Sequence, residues 1–160
     1  MTDVQVAAIF EERIGWLTKH MGEAALEQSS LMIVLSDQEE RRKLETIVAP
    51  CRWTVYLATS CEEAIRFSRY TRPHVLLCDS ELPDGGWRRI WKALSIGPRP
   101  PLLIVASRNA DERLWAQVLN AGGYDVLLKP FHKEEVVWAI HCAAGQRECA
   151  VCHANPASTS

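Results

Sequence analysis

Between residues 31 and 145 the chain alternates five times between a short apolar run and a longer amphipathic segment, and this alternation constrains its fold more than any other feature. The apolar runs cover residues 31–35, 53–58, 74–78, 102–106 and 126–128. Short continuous runs of this kind suit parallel strands buried on both faces. Residues 38–49, 61–70, 87–95, 110–121 and 132–146 read as helices. Their stops are Pro50 after the first and Gly122-Gly123 after the fourth, and a Pro-Asp-Gly-Gly turn at 83–86 precedes the third. The pattern predicts an α/β domain: a doubly wound parallel sheet with helices on both faces and right-handed crossovers.

The 160 residues have room for this one domain and short appendages. A content of 48% hydrophobic and 24% charged residues argues against a chain disordered throughout. No uncharged run approaches the roughly 18 residues of a membrane-spanning helix. The N-terminus carries Asp3, Glu11 and Glu12 and lacks a basic start before an apolar run, so no secretory signal is read and the cytoplasm is the expected location. The net charge of −2 gives no bulk attraction to nucleic acid, and direct DNA binding is not expected.

Residues 1–30 read as an amphipathic helix and linker. Ala7, Phe10, Ile14, Leu17, Met21 and Ala24 follow coiled-coil spacing, weakened by Gly15 and Gly22. This helix is expected to form a homodimer seam, or else to fold back on the domain. Residues 31–145 form the domain itself, and 146–160 a flexible tail.

Ligands of open parallel sheets bind outside the carboxyl ends of the strands. Here the first strand is followed by Ser36 and Asp37, the third by Asp79, the fourth by Ser107 and the fifth by Lys129. Two carboxylates, a hydroxyl and an ammonium would therefore converge. That set suits phosphoryl chemistry. Carboxylates can hold Mg²⁺ or act as a nucleophile, and a lysine can neutralise a phosphoryl oxygen. Each residue alone has a plainer role. Asp37 and Glu40 have capping-box spacing, Asp79 could be a polar strand stop, Ser107 a loop start and Lys129 a rim cation. The ordered set of four argues against all of these holding at once.

Over residues 31–145 the chain resembles the response-regulator receiver domain of two-component signalling. The resemblance lies in Pro73 to Asp79 with Leu82-Pro83 and a Gly pair, in Ala121-Gly122, and in Lys129-Pro130-Phe131. It implies a five-stranded, flavodoxin-like sheet of order 2-1-3-4-5. It implies a signalling phosphoacceptor rather than an enzyme, with at most self-catalysed phosphorylation and dephosphorylation. By motif Asp79 accepts the phosphoryl group from a histidine kinase or phosphotransfer protein, with Ser107 and Lys129 assisting. Mg²⁺ would be held by Asp37, Asp79 and the backbone carbonyl of Glu81.

Three departures stand out. Receivers typically carry two adjacent acidic residues after the first strand; here Ser36 takes one of those positions, a weaker metal ligand, so lower Mg²⁺ affinity is expected. The aromatic residue three positions before the lysine, part of the usual switch, is Val126. The loop after Pro83 is about one residue short. A phosphoaccepting receiver is the favoured reading, and a pseudo-receiver acting as an interaction or dimerisation module is the alternative. Only 15 residues follow Gly145, so a stand-alone receiver is expected, with output through another protein. The face bearing Trp115 and Trp138 is a candidate for that contact.

Cys51, Cys61, Cys78 and Cys142 are expected as buried thiols. In the tail, Cys149, Cys152 and His153 match a haem-attachment motif, but haem is disfavoured without an export signal or an apolar pocket. A reduced, metal-free tail is favoured over zinc held with Cys142 or His141, and over a redox pair.

Overall fold

The computed structural model describes residues 29–51 and 53–152, with side chains described as far as residue 145. Five strands form the sheet: β1 (Ser30–Val34), β2 (Thr54–Ala58), β3 (Val75–Asp79), β4 (Leu102–Ser107) and β5 (Asp125–Leu128). The helices are α1 (Gln38–Val48), α2 (Cys61–Thr71), α3 (Trp87–Leu94), α4 (Glu112–Asn120) and α5 (Lys133–Cys152). All sheet pairs are parallel, in the order β2-β1-β3-β4-β5. This is the doubly wound, flavodoxin-like architecture expected from the alternation and the resemblance. Residues 1–28, with the coiled-coil spacing, lie outside the described residues.

The sheet separates two apolar layers because side chains alternate along each strand. Leu31, Ile33, Val75, Leu77, Ile104, Ala106 and Leu127 face α1 and α5, meeting Leu44, Ile47, Val136 and Ile140. Met32, Val34, Leu76, Cys78, Leu103, Val105 and Val126 face the other way, against Ala64, Trp87, Ile90 and Val118. Every residue of β1 is buried. This is why the strands read as unbroken apolar runs and not as alternating ones.

Side-chain caps fix where the helices begin. The Asp37 carboxylate accepts the N–H of Glu40, Ser60 that of Glu63, and Asp111 that of Leu114, each satisfying a donor left open at a helix start. Beyond Val48 the chain continues as a 3₁₀ turn over Ala49–Cys51, which accommodates Pro50. The last helix runs past the expected end at Gln146 to Cys152.

One expectation about side chains is corrected. Cys61 and Cys78 are buried thiols, but Cys51 and Cys142 are only half-buried, since each lies at the end or margin of the α1–α5 layer. Trp53 and Trp87 are core residues, whereas Trp91 is half-buried and donates from Nε1 to the Ala121 carbonyl at 2.7 Å. Among the described residues no helix is long and apolar enough to cross a membrane.

Candidate functional site

Parallel register brings the predicted polar residues to one end of the sheet. Asp79 lies level with Ala106, and Ser107 with Leu128. The Lys129 N–H then donates to the Ser107 carbonyl at 2.9 Å, which carries its side chain back over β3. A cavity of about 610 Å³ opens there, with Ser36, Asp37, Asp79, Glu81, Ser107 and Lys129 all in its walls.

Lys129 is the centre of the charge arrangement. Its side chain is 6% exposed, and its Nζ donates to Asp79 Oδ2 at 2.7 Å and to Glu40 Oε2 at 2.8 Å. The other Glu40 oxygen, Oε1, accepts from Arg108 Nη2 at 2.9 Å. Asp79 and Glu40 are 13% and 17% exposed, so these carboxylates depend on the cations rather than on water alone. Two residues of this network, Glu40 and Arg108, were not expected at the site from the sequence. In the sequence Glu40 stands out only through its capping-box spacing from Asp37.

The remaining candidates take defined places. Asp37 caps α1, and this backbone hydrogen bond from Glu40 holds its carboxyl below the ordinary carboxylate range. The Ser107 hydroxyl accepts the N–H of Asn109 at 3.2 Å. Ser36 is exposed, and its carbonyl, with that of Leu35, accepts from Arg41. Glu81 opens a two-residue ladder, Glu81–Leu82 against Gly85–Gly86, that forms the loop next to Asp79. Val126, at the position of the usual aromatic, is 6% exposed and sits in the apolar layer. Among the described residues no cluster of three or more His, Cys, Asp or Glu side chains is arranged to hold a metal ion. Of the residues offered to a tail zinc site, His141 is buried edge-on to Trp53, while the side chains of Cys149, Cys152 and His153 lie outside the described residues.

The loop after Asp79 is anchored by Asp84. Its Oδ1 accepts the N–H of Cys61 at 2.8 Å, and its Oδ2 that of Glu62 at 3.0 Å, at the start of α2. Arg89 pairs with it at 3.2 Å. The Cys61 backbone bond, followed by that of Glu62, pulls the Asp84 carboxyl below its ordinary value of 3.8. A group lowered on folding adds stability that is complete above the unfolded value and is lost as pH falls through the folded one. Asp84→Asn is therefore expected to lower stability at neutral pH and to flatten its decline below about pH 4, the unfolded carboxylate range. Urea midpoints measured from pH 7 down to acid check this; parallel curves for the two proteins would contradict it.

Comparison with known proteins accords with this geometry. Residues 31–141 match the family model described as the response regulator receiver domain. The chain is 38% identical over 86 residues to the probable transcriptional regulatory protein TcrX of Mycobacterium tuberculosis, covering 53% of this chain and 36% of that one. It thus spans little more than a third of that relative's length. The signal receiver domain of a putative Luxo repressor protein from Vibrio parahaemolyticus superposes with a TM-score of 0.72 at 17% identity, covering 78% of this chain and 97% of that one. The receiver domain of sensor histidine kinase PA1611 from Pseudomonas aeruginosa has magnesium coordinated in its active site cleft. It superposes with a TM-score of 0.66 at 20% identity, covering 74% and 98% of the two chains. At these identities the structural likenesses speak to the fold alone.

Proposed function

Because the chain belongs to the response-regulator receiver family of two-component signalling, we propose that Asp79 is its phosphoacceptor and that a histidine kinase or phosphotransfer protein is its donor. The observation that carries this reading is the 2.7 Å contact between Asp79 and Lys129 at the carboxyl end of the sheet, facing an open cavity.

In the proposed reaction an Asp79 carboxylate oxygen attacks the phosphorus of a phosphohistidine. A P–O bond forms and the donor P–N bond breaks. The imidazole leaves with the electron pair and takes a proton from solvent. Lys129 supplies a point charge for one phosphoryl oxygen. The Ser107 hydroxyl can donate to another. Hydrolysis reverses the modification: water attacks phosphorus, the bond to Asp79 breaks, and inorganic phosphate departs.

The lining also fits Mg²⁺, because its donors include several hard oxygens and no sulfur. Asp37, Asp79 and the Glu81 carbonyl would hold the ion, with the Ser36 hydroxyl in place of a second acidic side chain. When bound, Mg²⁺ supplies neutralising charge for the phosphoryl oxygens. An ion of this kind keeps several waters and needs no cluster of three acidic or imidazole side chains, and none is present among the described residues.

Output would pass through contact with another protein. α4 and α5 both pack beside β5. On α4 and β5, Trp115, Leu119 and Leu128 are 38%, 49% and 52% exposed, while Trp138 on α5 is half-buried. These groups make that face the candidate partner surface.

Incubation of the full chain with Mg²⁺ and acetyl phosphate tests the phosphoacceptor reading. A mass gain of one phosphoryl group is expected, lost on omitting Mg²⁺ and absent in Asp79→Asn. A gain that survives Asp79→Asn would overturn the assignment.

A further inference from the structure

Glu40 stands between two cavities. With Arg108 and Lys129 it lines both the phosphoacceptor cavity and a second one of about 540 Å³. The second is also bounded by Glu39, Lys43 and Phe131. Glu40 and Lys43 are three residues apart on α1, which places them as neighbours on one helix surface. The carboxylate thus has an alternative cation within reach, and space beside it.

In the present arrangement Glu40 holds both cations nearest the site, Lys129 through Oε2 and Arg108 through Oε1. A phosphoryl group on Asp79 would bring about −1.5 to −2 charges and three strong acceptor oxygens to the same place. Lys129 cannot serve that group fully while it is shared with Glu40. Arg108 is 75% exposed and has room to swing. The like-charged Glu40 carboxylate is then the group with most to gain by leaving.

We propose that Glu40 is a displaceable anion that holds Lys129 and Arg108 in the unphosphorylated state and moves to Lys43 when Asp79 is phosphorylated. It is a positioning residue, not a catalytic one. The switch runs through the first turn of α1, so it needs no aromatic residue at the position of Val126. This inference rests on Asp79 being the phosphoacceptor. Glu40 also restores one negative charge near a pocket that lacks one at Ser36, and it does so on a movable side chain in place of a fixed strand end.

The test measures phosphorylation of the full chain by acetyl phosphate at saturating Mg²⁺, so that any effect on metal affinity is removed. Glu40→Gln is expected to lower the half-saturating donor concentration by about threefold to tenfold, because one competing charge is gone. The difference should shrink in roughly 1 M salt, where the screening length is about 3 Å. Lys43→Gln removes the alternative partner and is expected to raise the donor requirement by about twofold, as for a surface pair. In the Glu40→Gln background Lys43→Gln should then have no effect, a non-additivity that a merely structural role does not produce. Wild-type donor dependence in Glu40→Gln, or a Lys43→Gln effect that persists without Glu40, would overturn the proposal. Failure of every variant and of the wild type to gain mass, or gain surviving Asp79→Asn, would overturn the phosphoacceptor reading on which it stands.

Discussion

Lys129→Met is expected to lower stability by about 2–3 kcal/mol and to slow phosphorylation by about a hundredfold or more. Methionine keeps the length and apolar stem of the side chain, so the change removes the charge with little change in packing. Asp79 and Glu40, only 13% and 17% exposed, then face each other with the ammonium that separates them gone. Removing one partner of a buried ion pair costs about 3–5 kcal/mol. The lower figure allows for the residual exposure of both carboxylates and for the retained Arg108 bond to Glu40. Urea denaturation measures the loss. Neutralising one carboxylate should recover part of it, so Asp79→Asn/Lys129→Met is expected to be more stable than Lys129→Met. A double variant no more stable than the single one would show that charge is not the cause.

Gly123→Ala is expected to cost about 2–3 kcal/mol, although it adds only one methyl group. A Cβ at this position would lie 2.4 Å from Val118 Cγ1, 2.8 Å from the Val118 carbonyl oxygen and 3.3 Å from Leu103 Cδ2. Val118 and Leu103 are fully buried, so neither has space to yield. The Gly123 N–H also donates to the Val118 carbonyl at 2.8 Å, which keeps the backbone close. The preceding Gly122 has φ of +93°, a conformation that glycine adopts without penalty. The two glycines thus turn the chain tightly from α4 into β5. Displacing that turn shifts the strand that leads into Lys129, so the variant should also phosphorylate more slowly. Gly97→Ala is the control, since its nearest contact would be a carbonyl at 3.9 Å. Equal urea midpoints for Gly123→Ala and wild type would contradict the packing account.

The strand ends were the legible part of the site. A residue at or just past the end of a buried strand has its position set by the sheet, so the sequence alone groups Asp37, Asp79, Ser107 and Lys129. It does not place Glu40 or Arg108 with them. The Glu40–Lys129 contact joins residues 89 apart in the chain, and it depends on how far a long side chain reaches across the sheet end. Helical spacing shows that Glu40 follows Asp37 by one turn but not what lies opposite. A signal was nonetheless available: with Ser36 neutral, Glu39 and Glu40 in the first turn of α1 are the acidic side chains that follow Asp37 and could join Asp79 in balancing Lys129.

The fold was more fully readable, because buried parallel strands and helix stops are local features. Its misjudged details have local causes too. The last helix is expected to end at Gln146, yet residues 147–152 contain neither Gly nor Pro and the helix continues. Cys51 and Cys142 were assigned to the core because they adjoin apolar residues, but adjacency in sequence does not say which side of a layer margin a thiol occupies.

The central claim is that Asp79 carries the phosphoryl group, and the most direct measurement is chemical identification of the modified residue. Borohydride cleaves an aspartyl phosphate and reduces that carboxyl to an alcohol, leaving homoserine in the peptide. After treatment with acetyl phosphate and Mg²⁺, then borohydride and proteolysis, tandem mass spectrometry should find homoserine at position 79 and unchanged aspartate at positions 37 and 84. Homoserine at another aspartate, or unreduced Asp79 in protein that has gained the phosphoryl mass, would contradict the account.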